Sequence, residues 1–381
     1  MDNEVRATGL DPARERAIGD RGHTAHDSRT SDPRGRGSPF HPRSESAGMG
    51  TDLSGPTYAA LDLGTNNCRL LVARATYDGF RVVDAFSRII RLGEGITASG
   101  RLSEAAIARA IEALKICRDK MRNRGVTRMQ LIATEACRSA VNGAEFLSQV
   151  REQVGIDLDV VDRESEALLA ATGCTPLIDA DANGAILFDI GGGSTELVRL
   201  GRLPVSDRGP PPPDMRGWIS LPVGVVTLAE RHGGIVVTSD IFEAMVAEVA
   251  GHIAPFIAAR EPHDRERMHL LGTSGTVTTI AGVHLALRRY DRRRVDGAWM
   301  SDAEVTGIVD RLLAMNYDER AANACIGTER ADLVLAGCAI LEAIRRIFPC
   351  SRLRIADRGL REGMLVRMMR ADRVWSEGAS S

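Results

Sequence analysis

At 381 residues the chain has room for two domains with substantial cores, and 49 basic against 51 acidic side chains leave a formal net charge of -2. That balance supplies no bulk field, so neither nucleic acid nor an anionic membrane is expected as a partner. Seven widely spread cysteines without a CxxC pair fit reduced thiols and argue against a zinc site; with no apolar span and no signal-like segment, a cytoplasmic protein is expected.

Residues 1–56 are rich in Arg, Asp, Gly, Ser and Pro and lack apolar periodicity, so a disordered tail is expected there. Strands are predicted at 58–63, 68–75 and 80–89, followed by a helix capped by Ser103 that runs to about residue 122. A strand at QLIATEA, a helix near 142–153, a short strand at LDVV and a helix opening near Glu164 complete the first set. Lys115 and Lys120 are the only lysines, so arginine carries almost all the positive charge.

The same order then recurs. AILFDIGGGSTELVRL (185–200) is again strand, small polar knot, strand, with a third strand near GWISLPV, helices to about 259, the strand MHLLGT, a helix from about Thr276, further helices over 301–347, the strand LRIAD and a last helix from about Gly359. The two knots superpose in a single register, which carries Asp62 onto Asp189, Gly64 onto Gly191 and Leu70 onto Leu197. Two such copies read as a duplicated α/β fold around a cleft, and DRGPPPPDMRG (207–217) reads as a stiff exposed loop within the second copy.

Each knot is suited to phosphate. Gly191, Gly192, Gly193, Ser194 and Thr195 can turn successive backbone N–H groups the same way, because glycine tolerates the required dihedrals. Gly64, Thr65, Asn66 and Asn67 offer the same surface, with a hydroxyl and amides as further donors. Asp62 and Asp189 at the strand ends are oxygen ligands of the kind Mg²⁺ takes.

DLGTNNCRLL, DIGGGSTELV, LLGTSGT and DRGLREG together, in that order, resemble the exopolyphosphatase and guanosine pentaphosphate phosphatase family, a branch of the actin, sugar-kinase and heat-shock ATPase superfamily. The resemblance covers about residues 57–371 and implies two ribonuclease-H-like domains, 57–163 and 164–357, with a C-terminal helix at about 358–371 packing back on the first. It also implies the short form, without the helical metal-dependent-hydrolase-like domain of longer members, and a homodimer as one possible state. By the same resemblance Arg138 in ATEACRSA contacts phosphate and Glu166 in DRESEALLA is the catalytic base. Ser165 stands where relatives commonly carry a second glutamate, for which Glu164 is the available substitute. Glu196 joins Asp62 and Asp189 near the metal.

Taken without the resemblance, Arg138 could pair with a surface carboxylate, Glu166 could serve the helix dipole, and Glu196 could be a solvated strand residue. Gly272, Ser274 and Gly275 lie between a strand and a helix N-terminus, as a phosphate or nucleotide position or as a tight turn. RRYDRRRV (288–295) is a solvated loop or a surface that a polyanion leaving the cleft would gain from, and GLREG reads as structural. Asn67, where relatives often carry serine, either reaches the ligand or stiffens the turn. The expected function is Mg²⁺-dependent release of terminal orthophosphate from inorganic polyphosphate. The same chemistry on guanosine pentaphosphate is the nearest rival, followed by a kinase of the superfamily and a sensor that binds without turnover.

Overall fold

The computed structural model describes residues 55–203, 208–258 and 267–376. The tail expected over 1–56 lies, but for its last two residues, outside them, as does the first residue of the proline-rich loop. Among the described residues no helix is long and apolar enough to cross a membrane.

The chain opens with β1 (Thr57–Leu63), β2 (Asn67–Ala75) and β3 (Phe80–Ile89). There follow α1 (Ile96–Ser99), α2 (Glu104–Asn123), β4 (Val126–Ala133), α3 (Glu135–Ser139), α4 (Gly143–Val154), β5 (Asp159–Val160) and α5 (Arg163–Cys174). The second run has β6 (Gly184–Ile190), β7 (Thr195–Gly201), β8 (Met215–Leu221), α6 (Val225–His232), α7 (Ser239–Ala258), β9 (Met268–Thr273) and α8 (Ser274–His284). It ends with α9 (Arg292–Val295), β10 (Trp299–Ser301), α10 (Asp302–Ala314), α11 (Tyr317–Ala322), α12 (Val334–Ile347), β11 (Arg352–Ala356) and α13 (Leu360–Ala371). As expected, the Ser103 side chain caps α2 by accepting from the Ala106 N–H.

The strands form two sheets of the same plan. In the first the order is β3-β2-β1-β4-β5, and in the second β8-β7-β6-β9-β11-β10. In each, an antiparallel meander leads to a central strand that is parallel to its next neighbour, β1 with β4 and β6 with β9. This is the duplicated two-sheet α/β architecture read from the sequence.

The central strands are apolar on both faces because both faces are covered. Ala59, Leu61 and Leu63 of β1 pack with Ala106, Leu114 and Phe146 of α2 and α4, whereas Tyr58 and Ala60 point the other way, toward Leu169, Met364 and Leu365. Ile186, Phe188 and Ile190 of β6 likewise join the core under α7, α8 and α12, while Ala185 and Leu187 face the same shared layer as Tyr58. That layer holds α5 and α13 between the sheets. The two helices meet backbone to backbone: a Cβ on Gly173 would lie 2.0 Å from the Gly359 carbonyl oxygen, and one on Gly363 would lie 2.0 Å from that of Leu169. Only glycine permits this approach. It brings the last helix back against β1, although the two are the last and first elements of the described chain.

Two boundaries moved. Glu135, expected in a strand, opens α3, and α8 begins at Ser274, with φ of 81° at that residue, two positions before the expected Thr276. A non-glycine residue in the left-handed region costs energy and marks a place where the chain is held for a purpose.

Candidate active site

The parallel strands β1, β4, β6, β9 and β11 all end at one cleft. Its wall takes Asp62 from the end of β1, Thr134 and Glu135 after β4, Asp189 from β6, Thr273 and Ser274 at the end of β9, and Asp357 to Arg361 after β11. Open α/β sheets bind ligands at these carboxyl ends, where strand order reverses.

Two loops enter the cleft from opposite sheets with the same internal bond. The Gly64 N–H donates to the Asn67 carbonyl at 2.8 Å, and the Gly191 N–H to that of Ser194 at 3.0 Å. Their carbonyls are tied back elsewhere. The Thr65 carbonyl accepts from Gly93 N–H at 2.8 Å and that of Asn66 from Ile90 and Arg91, at 2.9 and 3.1 Å. Those of Gly191 and Gly192 accept from Val225 and Val226 in the first turn of α6, at 3.0 and 2.9 Å. The N–H groups of Thr65, Asn66, Gly192 and Gly193 have no hydrogen-bond partner among the described residues. The two loops touch: a Cβ on Gly192 would stand 2.9 Å from the Thr65 Cβ, and one on Gly193 would stand 2.9 Å from its Oγ1. Asn66 and Asn67 each bury a side-chain oxygen that bonds nothing among the described residues. Unpaired buried polar groups are costly, so a concave surface with four free amides and two spare carboxamides is built for a polar ligand.

Six carboxyl groups line the same space, among them Asp62, Glu166, Asp189 and Glu196. Burial pushes Asp189 up to about 6, with the Asp62 charge adding to it, and Glu196 up to about 7, with Asp189 adding to it. Burial also raises Asp62, against the pull of Arg69 and Arg361. Glu166 is held well above the usual carboxylate range by burial and then by Glu196, with Arg138 pulling the other way. Mutually repelling buried carboxyls leave a strong preference for a cation among them. Asp62, Asp189 and Glu196 do not, however, converge as a direct metal-binding set, and among the described residues no cluster of three His, Cys, Asp or Glu does. The donor set fits a hydrated divalent cation, which keeps several waters and shares itself with phosphate oxygens.

Glu166 sits in the first turn of α5, whose N-cap Asp162 accepts from the Ser165 N–H at 2.7 Å. Arg138 reaches it from the short helix α3. Its Nη1 and Nη2 donate to the Glu166 Oε2 at 3.3 and 3.2 Å, Nε donates to Glu135 at 3.0 Å, and Nη1 also meets the Val161 carbonyl.

Most expected site residues therefore meet: Asp62, Gly64, Thr65, Asn66, Asn67, Glu166, Asp189, Gly191, Gly192, Gly193, Ser194, Glu196 and Ser274 all line the cleft. Four are placed elsewhere. Arg138 stands behind the wall with its donors committed to Glu135 and Glu166, because α3 aims it at the start of α5. Thr195 is fully buried and its hydroxyl donates to the Val223 carbonyl at 2.7 Å. Gly272 lies inside β9, where a Cβ would come within 2.6 Å of the Phe188 ring, so its smallness serves packing. Gly275 lines an adjoining hollow with Thr276, Thr279, Arg330 and Leu333, which meets the cleft at Asn66, Asn67 and Ser274.

DRGLREG is more than structural, since Asp357, Arg358, Gly359 and Arg361 reach the cleft. Sequence reasoning also missed Arg69 and Glu135. Arg69 was open to discovery, because the register that lays Asp62 on Asp189 also lays Arg69 on Glu196. Glu135 carried no such mark. Arg69 and Arg361 face Asp62 and make no ion pair within 4 Å among the described residues, so the cleft holds uncommitted guanidinium groups.

The family model for the Ppx/GppA phosphatase family matches residues 71–372. A protein of Photobacterium profundum named guanosine-5'-triphosphate,3'-diphosphate pyrophosphatase is 26% identical over 326 residues, 82% of this chain and 59% of that one. Exopolyphosphatase 2 of Mycobacterium tuberculosis (strain ATCC 25618 / H37Rv) is 28% identical over 304 residues, 76% of this chain and 89% of that one. The chain thus spans well under two thirds of the first relative and most of the second. The crystal structure of the Aquifex aeolicus member of the Ppx/GppA family matches with a TM-score of 0.68 at 28% identity, covering 83% of this chain and 98% of that one. A match across most of the sequence and the same fold together mean that the chain belongs to the Ppx/GppA phosphatase family.

Proposed function

We propose that the chain is an exopolyphosphatase that releases terminal orthophosphate from inorganic polyphosphate in the presence of Mg²⁺. The observation that carries this reading is the makeup of the cleft wall: free amides, arginines and carboxyls, with no aromatic side chain among the described residues that line it on which a base would stack. The relative named exopolyphosphatase 2 supports it.

In this reading the terminal phosphoryl group lies between the two loops, its oxygens accepting from the N–H groups of Thr65, Asn66, Gly192 and Gly193. Arg69 and Arg361 offset its charge. Glu166 orients a water and takes its proton as the water oxygen bonds to phosphorus and the bridging P–O bond breaks, leaving the shortened chain to depart. Arg138 fixes the Glu166 carboxylate and keeps more of it ionised. A bound divalent cation supplies charge neutralisation on the phosphate oxygens, with Asp62, Asp189 and Glu196 as the groups that would hold its water shell.

A second reading, a guanosine pentaphosphate 5'-phosphohydrolase, is favoured by the adjoining hollow, where Arg330, Leu333 and Val334 offer a nucleoside one cation and an apolar wall. Orthophosphate release from long polyphosphate, tripolyphosphate, guanosine pentaphosphate and ATP, each with and without Mg²⁺, decides between them. Mg²⁺-dependent release from polyphosphate is expected. Release from guanosine pentaphosphate alone would favour the second reading, and no release from any substrate would sink both.

A further inference from the structure

The basic run RRYDRRRV is pinned to the rim of the cleft. At its ends Leu287 and Val295 are buried in the core of the second sheet. In its middle the Tyr290 hydroxyl donates to the Asp357 Oδ2 at 2.7 Å and also bonds the Thr278 side chain, and both partners are cleft-wall residues. Arg292 turns inward as well, donating to the Asp357 carbonyl at 2.6 Å and pairing with Glu362 at 2.8 Å. Asp291 caps the short helix α9 by accepting from the Arg293 N–H at 3.0 Å. Arg288, Arg289, Arg293 and Arg294 are left exposed, and none makes an ion pair within 4 Å among the described residues.

A solvated loop needs none of this. Exposed arginines on mobile loops pair readily with nearby carboxylates, yet the acids here are already taken: Asp357 by Tyr290, Glu362 by Arg292, and Asp296 by Arg358 at its guanidinium. The four unneutralised guanidiniums belong to a run that Tyr290 ties to the cleft wall at Asp357, outside the cleft that Arg69 and Arg361 line. The forked guanidinium matches phosphate geometry, and such a series gains from every further phosphate it meets.

We propose that Arg288, Arg289, Arg293 and Arg294 form an outer track that binds the body of a polyphosphate chain while its terminal phosphoryl group occupies the cleft. This rests on the reading of the cleft as a polyphosphate site. Tripolyphosphate fits within the cleft and does not need the track. Long chains do.

The test compares the parent with a variant in which all four arginines are alanine and one in which all four are lysine, using labelled long polyphosphate for direct binding and both long polyphosphate and tripolyphosphate for turnover. The alanine variant is expected to bind long polyphosphate at least tenfold more weakly and to raise its KM by the same factor. Its dependence of log affinity on log salt should flatten by about three, roughly 0.7 to 1 for each phosphate that the track no longer neutralises. Lysine should restore most of the affinity, since it keeps the charge. Long-chain binding and KM unchanged in the alanine variant would overturn the track while leaving the polyphosphate reading intact. Equal weakening on tripolyphosphate and long chains would overturn it also. Track-dependent binding of long polyphosphate without turnover would uphold the track and defeat the hydrolase reading, and a parent that neither binds nor cleaves polyphosphate would end both.

Discussion

Arg69 occupies in the first hairpin the position that Glu196 occupies in the second: Asp62 faces Arg69 across β1 and β2, and Asp189 faces Glu196 across β6 and β7. The backbones of the two loops are near copies, but their flanking charges are opposite in sign. In the proposed reading Arg69 adds a cation beside the phosphate on one side of the cleft, where Glu196 adds an anion on the other. Replacing Arg69 with glutamine is expected to raise KM about ten- to hundredfold with a smaller effect on kcat, since a hydrogen bond to a charged group contributes about 1.5–3 kcal/mol. Steady-state kinetics on polyphosphate would check it.

Glu166→Gln keeps the shape of the wall and removes the proposed base. Turnover should fall by about two to four powers of ten while substrate binding, measured by titration calorimetry, stays close to that of the parent. Turnover at the parent rate would remove Glu166 from the mechanism.

The raised carboxyls set a pH dependence of stability. Asp189 near 6 and Glu196 near 7 hold protons in the folded chain that the unfolded chain has already released. Between roughly pH 4, the usual carboxylate range, and pH 7 the native state therefore binds more protons, and their contribution to stability falls as pH rises through that window. Without added metal, Tm from these groups should decline from pH 4 to 7, and Glu196→Gln should flatten the decline. Mg²⁺ should do the same by favouring the ionised forms. A Tm profile indifferent to both changes would contradict the account.

Arg138 lowers the pKa of Glu166 from behind the wall. Arg138→Gln should move the acid limb of the kcat/KM profile to higher pH, by about one unit or more, because a neighbouring opposite charge shifts a carboxyl by that much. Arg138→Lys should recover part of the shift. A residue acting only by touching phosphate would raise KM and leave the limb in place.

The contact between loops can be wedged. Gly192→Ala would set a methyl group 2.9 Å from the Thr65 Cβ and so force the two loops apart. KM should rise with little change in Tm. Gly224→Ala meets the Gly192 backbone at 2.4 Å, where nothing flexible can yield, and should cost about 1–3 kcal/mol in a thermal or urea melt.

Much of this was legible in local pattern. The continuous apolar runs of β1 and β6, the capping serine before α2 and the polar knots after Asp62 and Asp189 are short-range signals, and the common register of the two knots tied them into two copies of one fold. The loop residues came from the chemistry of the knots and Glu166 by resemblance to the family, and most of them line the cleft. The residues placed off the cleft wall share a cause. Thr195 and Gly272 belong to glycine- and threonine-rich stretches in which every residue has phosphate-binding chemistry, and only packing assigns the Thr195 hydroxyl to Val223 or the missing Gly272 side chain to the Phe188 ring. Arg138 has the right charge for phosphate, but its direction depends on where α3 meets α5.

The sequence by itself determined the duplication, most of the elements and the kind of chemistry, because these follow from periodicity, capping and residue type over a few neighbours. Only the tertiary structure decided which charges face the cleft. Arg361 arrives there because α13 crosses back onto β1 through the close approach of Gly173 and Gly363 between α5 and α13, and Tyr290 ties the basic run to the rim through Asp357. Such links join residues far apart in the chain, where no local pattern reaches, and their geometry is set by the layer that α5 and α13 share between the two sheets.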